Sequence, residues 1–221
     1  MTGVARRRWR LAALAALAAA GLAATEVAMA IEQPEYTVVR EDGAFELRRY
    51  APYLLAETEV ESGFMQAGNV AFGRLFRYIS GDNTARAEIA MTAPVEQARR
   101  GGGEKIAMTA PVEQAREGGV YRVAFVVPRK YTRETVPQPT DPRVRIREVP
   151  ARSIAVWRYS GRWTEENFRG HERELRAKIA ALGLVPAPGD SAIIARYDAP
   201  FIPWFMRRNE VLIPLTEAAS R

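Results

Sequence analysis

From residue 36 onward, apolar and polar positions fall into short runs of two different periods. Tyr36–Val39, Ala44–Tyr50 and Tyr53–Val60 are rich in β-branched and aromatic residues and are separated by turn residues, so they read as strands. Asp42-Gly43 between the first two is a hairpin signal. The period then lengthens. Phe64, Gly68, Ala71, Phe72, Leu75 and Ile79 recur every three or four residues. That spacing predicts a helix capped by Ser62, running to about Ser80 and stopped by Gly81. Gly68 and Gly73 each weaken such a helix by about 1 kcal/mol against Ala, and close packing of the helix on a sheet is the simplest reason for them. Further on, Val120–Pro128, Val144–Val149, Ser153–Tyr159, Ala192–Tyr197 and Asn209–Leu215 read as strands, with a proline-rich loop over Tyr131–Pro142. A second helix starts after Thr164, a good N-cap followed by Glu165 and Glu166. It presents Phe168, Leu175, Ile179 and Leu182 on one face and stops at Gly183.

Between the first helix and Val120 the chain repeats itself. IAMTAPVEQAR occupies Ile89–Arg99 and again Ile106–Arg116, joined by a glycine-rich stretch. Alternation puts Ile89, Met91 and Ala93 on one face, and Ile106, Met108 and Ala110 likewise. The expectation is two antiparallel strands with a glycine turn, and Pro94 and Pro111 at strand ends. Two copies are too few for a solenoid. On a larger scale, Tyr53–Val60 leads into helix one and then IAMTAPV, while Ser153–Tyr159 leads into helix two and then Ile194–Phe201 (IARYDAPF). Both end in Ala-Pro-apolar. This predicts one α+β domain of two pseudo-repeated halves. Ten or so strands and two helices would form a curved antiparallel sheet or open barrel with helices on its flank or mouth.

Residues 1–30 read as a secretory signal. Arg6, Arg7, Arg8 and Arg10 precede an apolar run, Leu11–Ala24, and Ala28-Met29-Ala30 is a small-x-small cleavage site. Fourteen apolar residues fall short of the roughly 20 that a membrane span needs. The expectation is therefore a periplasmic chain of residues 31–221, with an uncleaved N-terminal anchor as the alternative. The arginine pair leaves the choice between the general secretory and twin-arginine routes open. This changes the reading of charge. The 221 residues carry 32 basic and 26 acidic side chains, net +6. Without residues 1–30, 28 basic and 25 acidic remain, net +3, scattered and forming no stripe. Nucleic-acid binding loses its electrostatic basis.

Zero cysteines exclude disulfides, thiol nucleophiles and thiolate metal sites, and a single histidine excludes multi-histidine metal centres. No phosphate-binding glycine motif, nucleophile elbow or buried carboxylate pair stands out. Glu172 and Glu174 read as a solvated helix face. His171 lies three residues after Phe168 and four before Leu175, on the apolar stripe of helix two. It is either an inward imidazole able to ligate haem iron, or a boundary residue bonded to a backbone carbonyl or facing water. Met91 and Met108 read first as core residues, with contact to a flat aromatic ligand or ligation of haem iron as the functional alternative. Phe201–Met206 (FIPWFM), with Trp204 and Phe205 at its centre, followed by Arg207 and Arg208, suits either a packed loop or an apolar wall whose guanidiniums grip the carboxylate tails of a flat ligand.

Several stretches together resemble the SOUL/haem-binding protein family: Tyr36–Tyr50, the IAMTAPV segments, Phe125–Thr132, Asp141–Val149, Tyr159-Ser160-Gly161 and Tyr197–Val211. They run in order through nearly the whole chain after residue 30. The resemblance implies a distorted antiparallel β-barrel of two similar halves flanked by two helices. It also implies non-covalent binding of haem or a related tetrapyrrole, without catalysis, in an apolar groove involving the first helix. Phe72 and Leu75 become candidate wall residues, with Phe64 on the same stripe. The family's histidine ligand aligns with no histidine here, so His171 is not inherited from a matching motif. A metal-removing enzyme acting on tetrapyrroles, or a module for other apolar small molecules, are the alternatives.

Overall fold

The computed structural model describes residues 31–84, 103–117, 119–189 and 191–216. The compact unit Glu32–Arg221 contains every element discussed below. Strands β1 (Tyr36–Asp42), β2 (Phe45–Tyr50) and β3 (Tyr53–Val60) lead into helix α1 (Phe64–Ile79). After β4 (Asn83–Thr84) come β5 (Val112–Glu117), β6 (Val120–Val126), β7 (Gln138–Pro139), β8 (Val144–Val149) and β9 (Arg152–Tyr159). Helix α2 (Glu165–Ala181), β10 (Ile193–Arg196) and β11 (Asn209–Pro214) complete the order.

Nine strands form one curled antiparallel sheet in the order β1-β2-β9-β11-β10-β5-β6-β3-β8, while β4 and β7 pair separately. The order reads as two halves. In one, β3 precedes α1 and β5-β6 follow it; in the other, β9 precedes α2 and β10-β11 follow it. The halves join at the β5·β10 pair, where Gln114 lies opposite Ile194 and Val112 opposite Arg196. The result is an α+β half-barrel with unpaired edges at β1 and β8 among the described residues. The turn after β1 is Gly43-Ala44, with Gly43 at φ +63°, as the Asp-Gly signal requires.

Each face of the sheet carries its own core, because alternate residues along a strand point to opposite sides. The helix-bearing face gathers Phe45, Ala56, Phe64, Leu75, Tyr78, Phe168, Leu175, Ile194 and Val211. The other gathers Tyr50, Tyr53, Leu55, Val126, Ile154, Val156 and Leu212.

Local signals set the two helix starts differently. Thr164 accepts the Asn167 backbone N–H, with Glu165 and Glu166 in the first turn, so α2 is capped as expected. Helix α1 starts from Gly63, without a side-chain cap and without an acid in its first turn. Ser62 instead donates to the Gly63 carbonyl, which corrects the expected cap. On α1, Ala67, Gly68, Ala71 and Leu75 face the sheet, whereas Phe72 is 40% exposed and stacks on Phe76 at 5.9 Å.

The repeated segment departs from expectation. Its first copy, including Met91, lies outside the described residues. In the second copy Ile106–Pro111 is not a strand, and β5 begins only at Val112. Ile106, Thr109 and Ala110 are buried, while Met108 is 44% exposed, so strand-like alternation does not hold there. Nor are the two Ala-Pro motifs equivalent. Ala110-Pro111 precedes β5, whereas Ala199-Pro200 follows β10.

Candidate ligand-binding cleft

A cleft of about 250 Å³ opens on the helix-bearing face over β5. The first turn of α1 supplies Phe64, the inner face of α2 supplies Phe168, Arg169 and Glu172, and the sheet supplies Gln114 and Tyr121. Phe64 is the hub. It stacks on Phe168 at 6.1 Å and meets Tyr121 edge-on at 6.0 Å. Gln114 donates to the Phe64 carbonyl at 2.9 Å, fixing the start of α1 against β5. Glu172 corrects the reading of a solvated face. It is 9% exposed and accepts from Arg169 and Arg176, both at 2.9 Å, forming the polar rim of the cleft.

Behind Phe64 and Gln114 lies Arg196 of β10. Its guanidinium donates to Gln114 Oε1 at 3.1 Å and sits over the rings of Phe64 and Trp163, each at 5.4 Å. Its Nε has no hydrogen-bond partner, and no carboxylate among the described residues pairs with it. Burial pulls its pKa down to about 10. A Cβ on Gly68 would stand 3.2 Å from Arg196 Nη1 and 3.3 Å from Gln114 Oε1, so glycine lets the helix lie against these groups. This is the expected packing of the helix on the sheet, here against polar side chains of β5 and β10, whereas a Cβ at Gly73 would meet nothing within 4 Å. Trp163 is held by its Nε1–H donating to Asn209 Oδ1 at 2.7 Å and by the Arg207 guanidinium over its ring at 4.2 Å.

The sequence-derived site residues do not converge on one place. Of them, Phe64 lines the cleft. Leu75 is fully buried in the core, and Phe72 meets Phe125 edge-on at 5.3 Å from an exposed position. Trp204 and Phe205 lie in a short 3-10 turn, Trp204–Met206, and both are exposed, as are Phe201 and Met206. This makes FIPWFM an exposed apolar loop rather than a packed one. His171 is a boundary residue. Its Nδ1 is bonded to Glu174 Oε2 at 2.7 Å, and its ring lies 4.2 Å from that of Tyr159.

Arg207 and Arg208 are committed inside the protein, contrary to the expectation that they grip a ligand. Arg207 donates to the carbonyls of Ile202 and Pro200 at 2.8 and 2.6 Å, and so folds the loop back on itself. Arg208 donates to Glu210 Oε1 at 2.8 and 3.1 Å and lies over Tyr197 at 4.0 Å. Glu210 belongs to a network on the opposite face that sequence reading missed. Fully buried Arg48 donates to Glu210 through two 2.8 Å bonds, to Glu46 at 2.7 Å and to Tyr50 at 3.0 Å. Burial raises the Glu210 pKa, but the bonds from Arg48 and the charge of Arg208 outweigh it and hold the carboxyl below its usual range. Nearby Glu113 has the reverse balance. Burial raises its pKa more than Arg152 and the Tyr53 hydroxyl lower it.

The sequence signal for Arg196 was present: in Ile194-Ala195-Arg196 a charge falls on the helix-facing side of an alternating strand. The described residues include no group of three metal-ligating side chains and no helix long and apolar enough to cross a membrane.

No curated protein matches the chain. Among solved structures, it superposes on the C-terminal domain of EcmrR with a TM-score of 0.56 at 8% identity, over 83% of this chain and 99% of that one. A hydrolase from Listeria innocua superposes with a TM-score of 0.50 at 10% identity, over 80% and 94%. At these identities the likeness concerns the fold. The family model described as SOUL heme-binding protein matches residues 31–214, and the chain belongs to this family of haem-binding proteins.

Proposed function

We propose that this protein binds haem or a related tetrapyrrole non-covalently and acts as a carrier or buffer in the cell envelope, without catalysing a reaction. Membership of the haem-binding family over residues 31–214 carries the reading. The cleft supports it, with stacked Phe64 and Phe168 at its mouth. At about 250 Å³ it is below the roughly 300–1,000 Å³ of enclosing ligand sites, so it would take only an edge of a macrocycle. Phe64, Phe168 and Tyr121 would flank the ring edge. His171, on α2 beside the cleft-lining Phe168 and Glu172, would be the residue to hold an iron, through Nε2, since its Nδ1 is engaged by Glu174 at 2.7 Å. The basic N-terminal segment, the apolar run and Ala28-Met29-Ala30 support export and cleavage, and with them a periplasmic location.

Titrating the purified protein with haem should give a saturable shift of the Soret band. Absence of saturation at micromolar concentration overturns the proposal. An unchanged bound spectrum in His171→Ala removes that residue from the iron. Loss of metal from a metallated chlorin on incubation would instead establish a catalytic role. Cell fractionation tests the periplasmic location.

A further inference from the structure

The loop between β10 and β11 turns apolar side chains outward. Phe201, Trp204, Phe205 and Met206 are between 47 and 83% exposed, and Trp204 meets Phe205 edge-on at 5.7 Å. A lone exposed apolar residue is ordinary, but four on one loop mark an interaction surface. The loop is firmly built. Its base is closed by the Tyr197 N–H donating to the Arg208 carbonyl at 3.3 Å. Within it, the carbonyls of Ala199, Pro203 and Trp204 accept the N–H groups of Ile202, Met206 and Arg207, and those of Pro200 and Ile202 accept the Arg207 guanidinium. Pro200 and Pro203 have no N–H to satisfy. Most carbonyls from Ala199 to Trp204 are thus answered inside the loop, which suits it to a medium that offers few hydrogen bonds.

The rim of the loop is basic. Arg162 is exposed, with its guanidinium 5.2 Å over the Trp204 ring, and Arg207 lies 4.2 Å over Trp163. Neither has a carboxylate partner among the described residues. Asp198, the one acid between Tyr197 and Arg208, accepts the Arg208 backbone N–H at 2.5 Å. Exposed aromatic rings bordered by uncompensated arginines match a lipid–water interface carrying anionic headgroups. The start of the compact unit lies at the same end of the sheet. The Glu32 carbonyl accepts the Ala110 N–H at 2.9 Å, just before β5, and Gln33 Oε1 accepts from Arg208 at 3.5 Å. The sequence read as an export leader therefore precedes a point at the base of this loop.

We propose that Phe201–Met206 is a membrane-docking loop. Its aromatic side chains enter the headgroup region of a bilayer, Arg162 meets the anionic phosphates, and the Arg207 charge adds to the attraction while its carbonyl bonds hold the loop in shape. After leader cleavage such a contact would keep the exported chain against the membrane it has crossed. Trp204, Phe205, Arg162 and Arg207 are absent from the cleft lining, so the proposal is independent of haem binding.

The test uses residues 31–221, which include the whole compact unit, and sediments them with vesicles of phosphatidylcholine alone or of equal parts phosphatidylcholine and phosphatidylglycerol. Binding to the mixed vesicles should be about tenfold or more tighter, since each arginine at an anionic surface contributes about fivefold, and it should weaken with salt. The double variant Trp204→Ser/Phe205→Ser should lose about tenfold or more on the mixed vesicles. Depth is read separately. In mixed vesicles whose phosphatidylcholine is brominated on its acyl chains, the wild-type tryptophan fluorescence should be quenched, and Trp204→Phe should bind as before with most of that quenching gone. Absence of binding to the mixed vesicles, binding unaffected by the double variant, or quenching that survives Trp204→Phe overturns the inference. A wild type that binds no vesicles and sediments as a dimer, with the double variant monomeric, overturns it in favour of an interface between copies. Should the double variant not fold, quenching of the wild type against Trp204→Phe still decides. Haem titration without vesicles tests the other proposal separately.

Discussion

Replacing Glu210 by glutamine removes the anion on which two arginines converge. Glu210 is fully buried on β11 and accepts two 2.8 Å bonds from Arg48, bonds of 2.8 and 3.1 Å from Arg208, and one of 2.6 Å from the Tyr197 hydroxyl. A glutamine can accept at one oxygen only, and its amide hydrogens would face donors. Arg48 would keep Glu46 alone, which is shared with Arg158 at 2.5 Å. Breaking a buried pair by removing one partner costs about 3–5 kcal/mol. At about 2–4 °C per kcal/mol for a domain of this size, the midpoint should fall by roughly 6–20 °C. Urea unfolding at neutral pH measures the first quantity and calorimetry the second. The double variant Arg48→Met/Glu210→Leu should recover most of the loss, because it leaves no buried ion unpaired. The pH dependence carries the same sign. Glu210 has a folded pKa below its ordinary 4.5, so its stabilisation is complete above 4.5 and disappears as pH falls through the lowered value. The gap between wild type and Glu210→Gln should therefore narrow in acid. A loss under about 1 kcal/mol at neutral pH, or a gap that is constant with pH, would refute the reasoning.

Glu113 should behave oppositely. Its raised pKa makes the protein favour its neutral form, so the wild type loses stability as pH rises from 4.5 toward that value, and Glu113→Gln should gain over the wild type with pH across the same window in urea titrations. The two helical glycines should separate. Gly73→Ala meets nothing within 4 Å and should stabilise by about 1 kcal/mol, whereas Gly68→Ala crowds Arg196 and Gln114 and should gain less than Gly73→Ala, or lose stability, in the same urea titrations. Phe205→Ser, at a position 61% exposed, should leave stability within about 0.5 kcal/mol by urea unfolding while raising solubility.

The sequence by itself determined most of the elements, because their signals are local. Thr164 with two following glutamates, Gly43 in its turn, and the β-branched and aromatic residues of β3, β8 and β9 each act within a few residues. The β-α-β order of the halves was legible for the same reason, and the family resemblance followed from motifs spread through the chain. Where sequence reading failed, the cause was non-local. Ile106–Pro111 of the second IAMTAPV alternates like a strand, yet no strand among the described residues pairs with it before Val112, and Met108 is left at the surface. Phe72 sits on the helical stripe, but Ala67, Gly68, Ala71 and Leu75 take the inner positions, so its ring meets Phe125 of β6 only at an edge and stays 40% exposed. Only the tertiary structure decided the fate of the charges. Arg207 and Arg208 look free in sequence and are bound by carbonyls of their own loop and by Glu210, while Arg196, at the end of the apolar strand β10, has no carboxylate among the described residues. Periodicity reports which face a residue occupies; whether a charge on that face is compensated depends on groups that strand pairing and helix docking bring from distant parts of the chain.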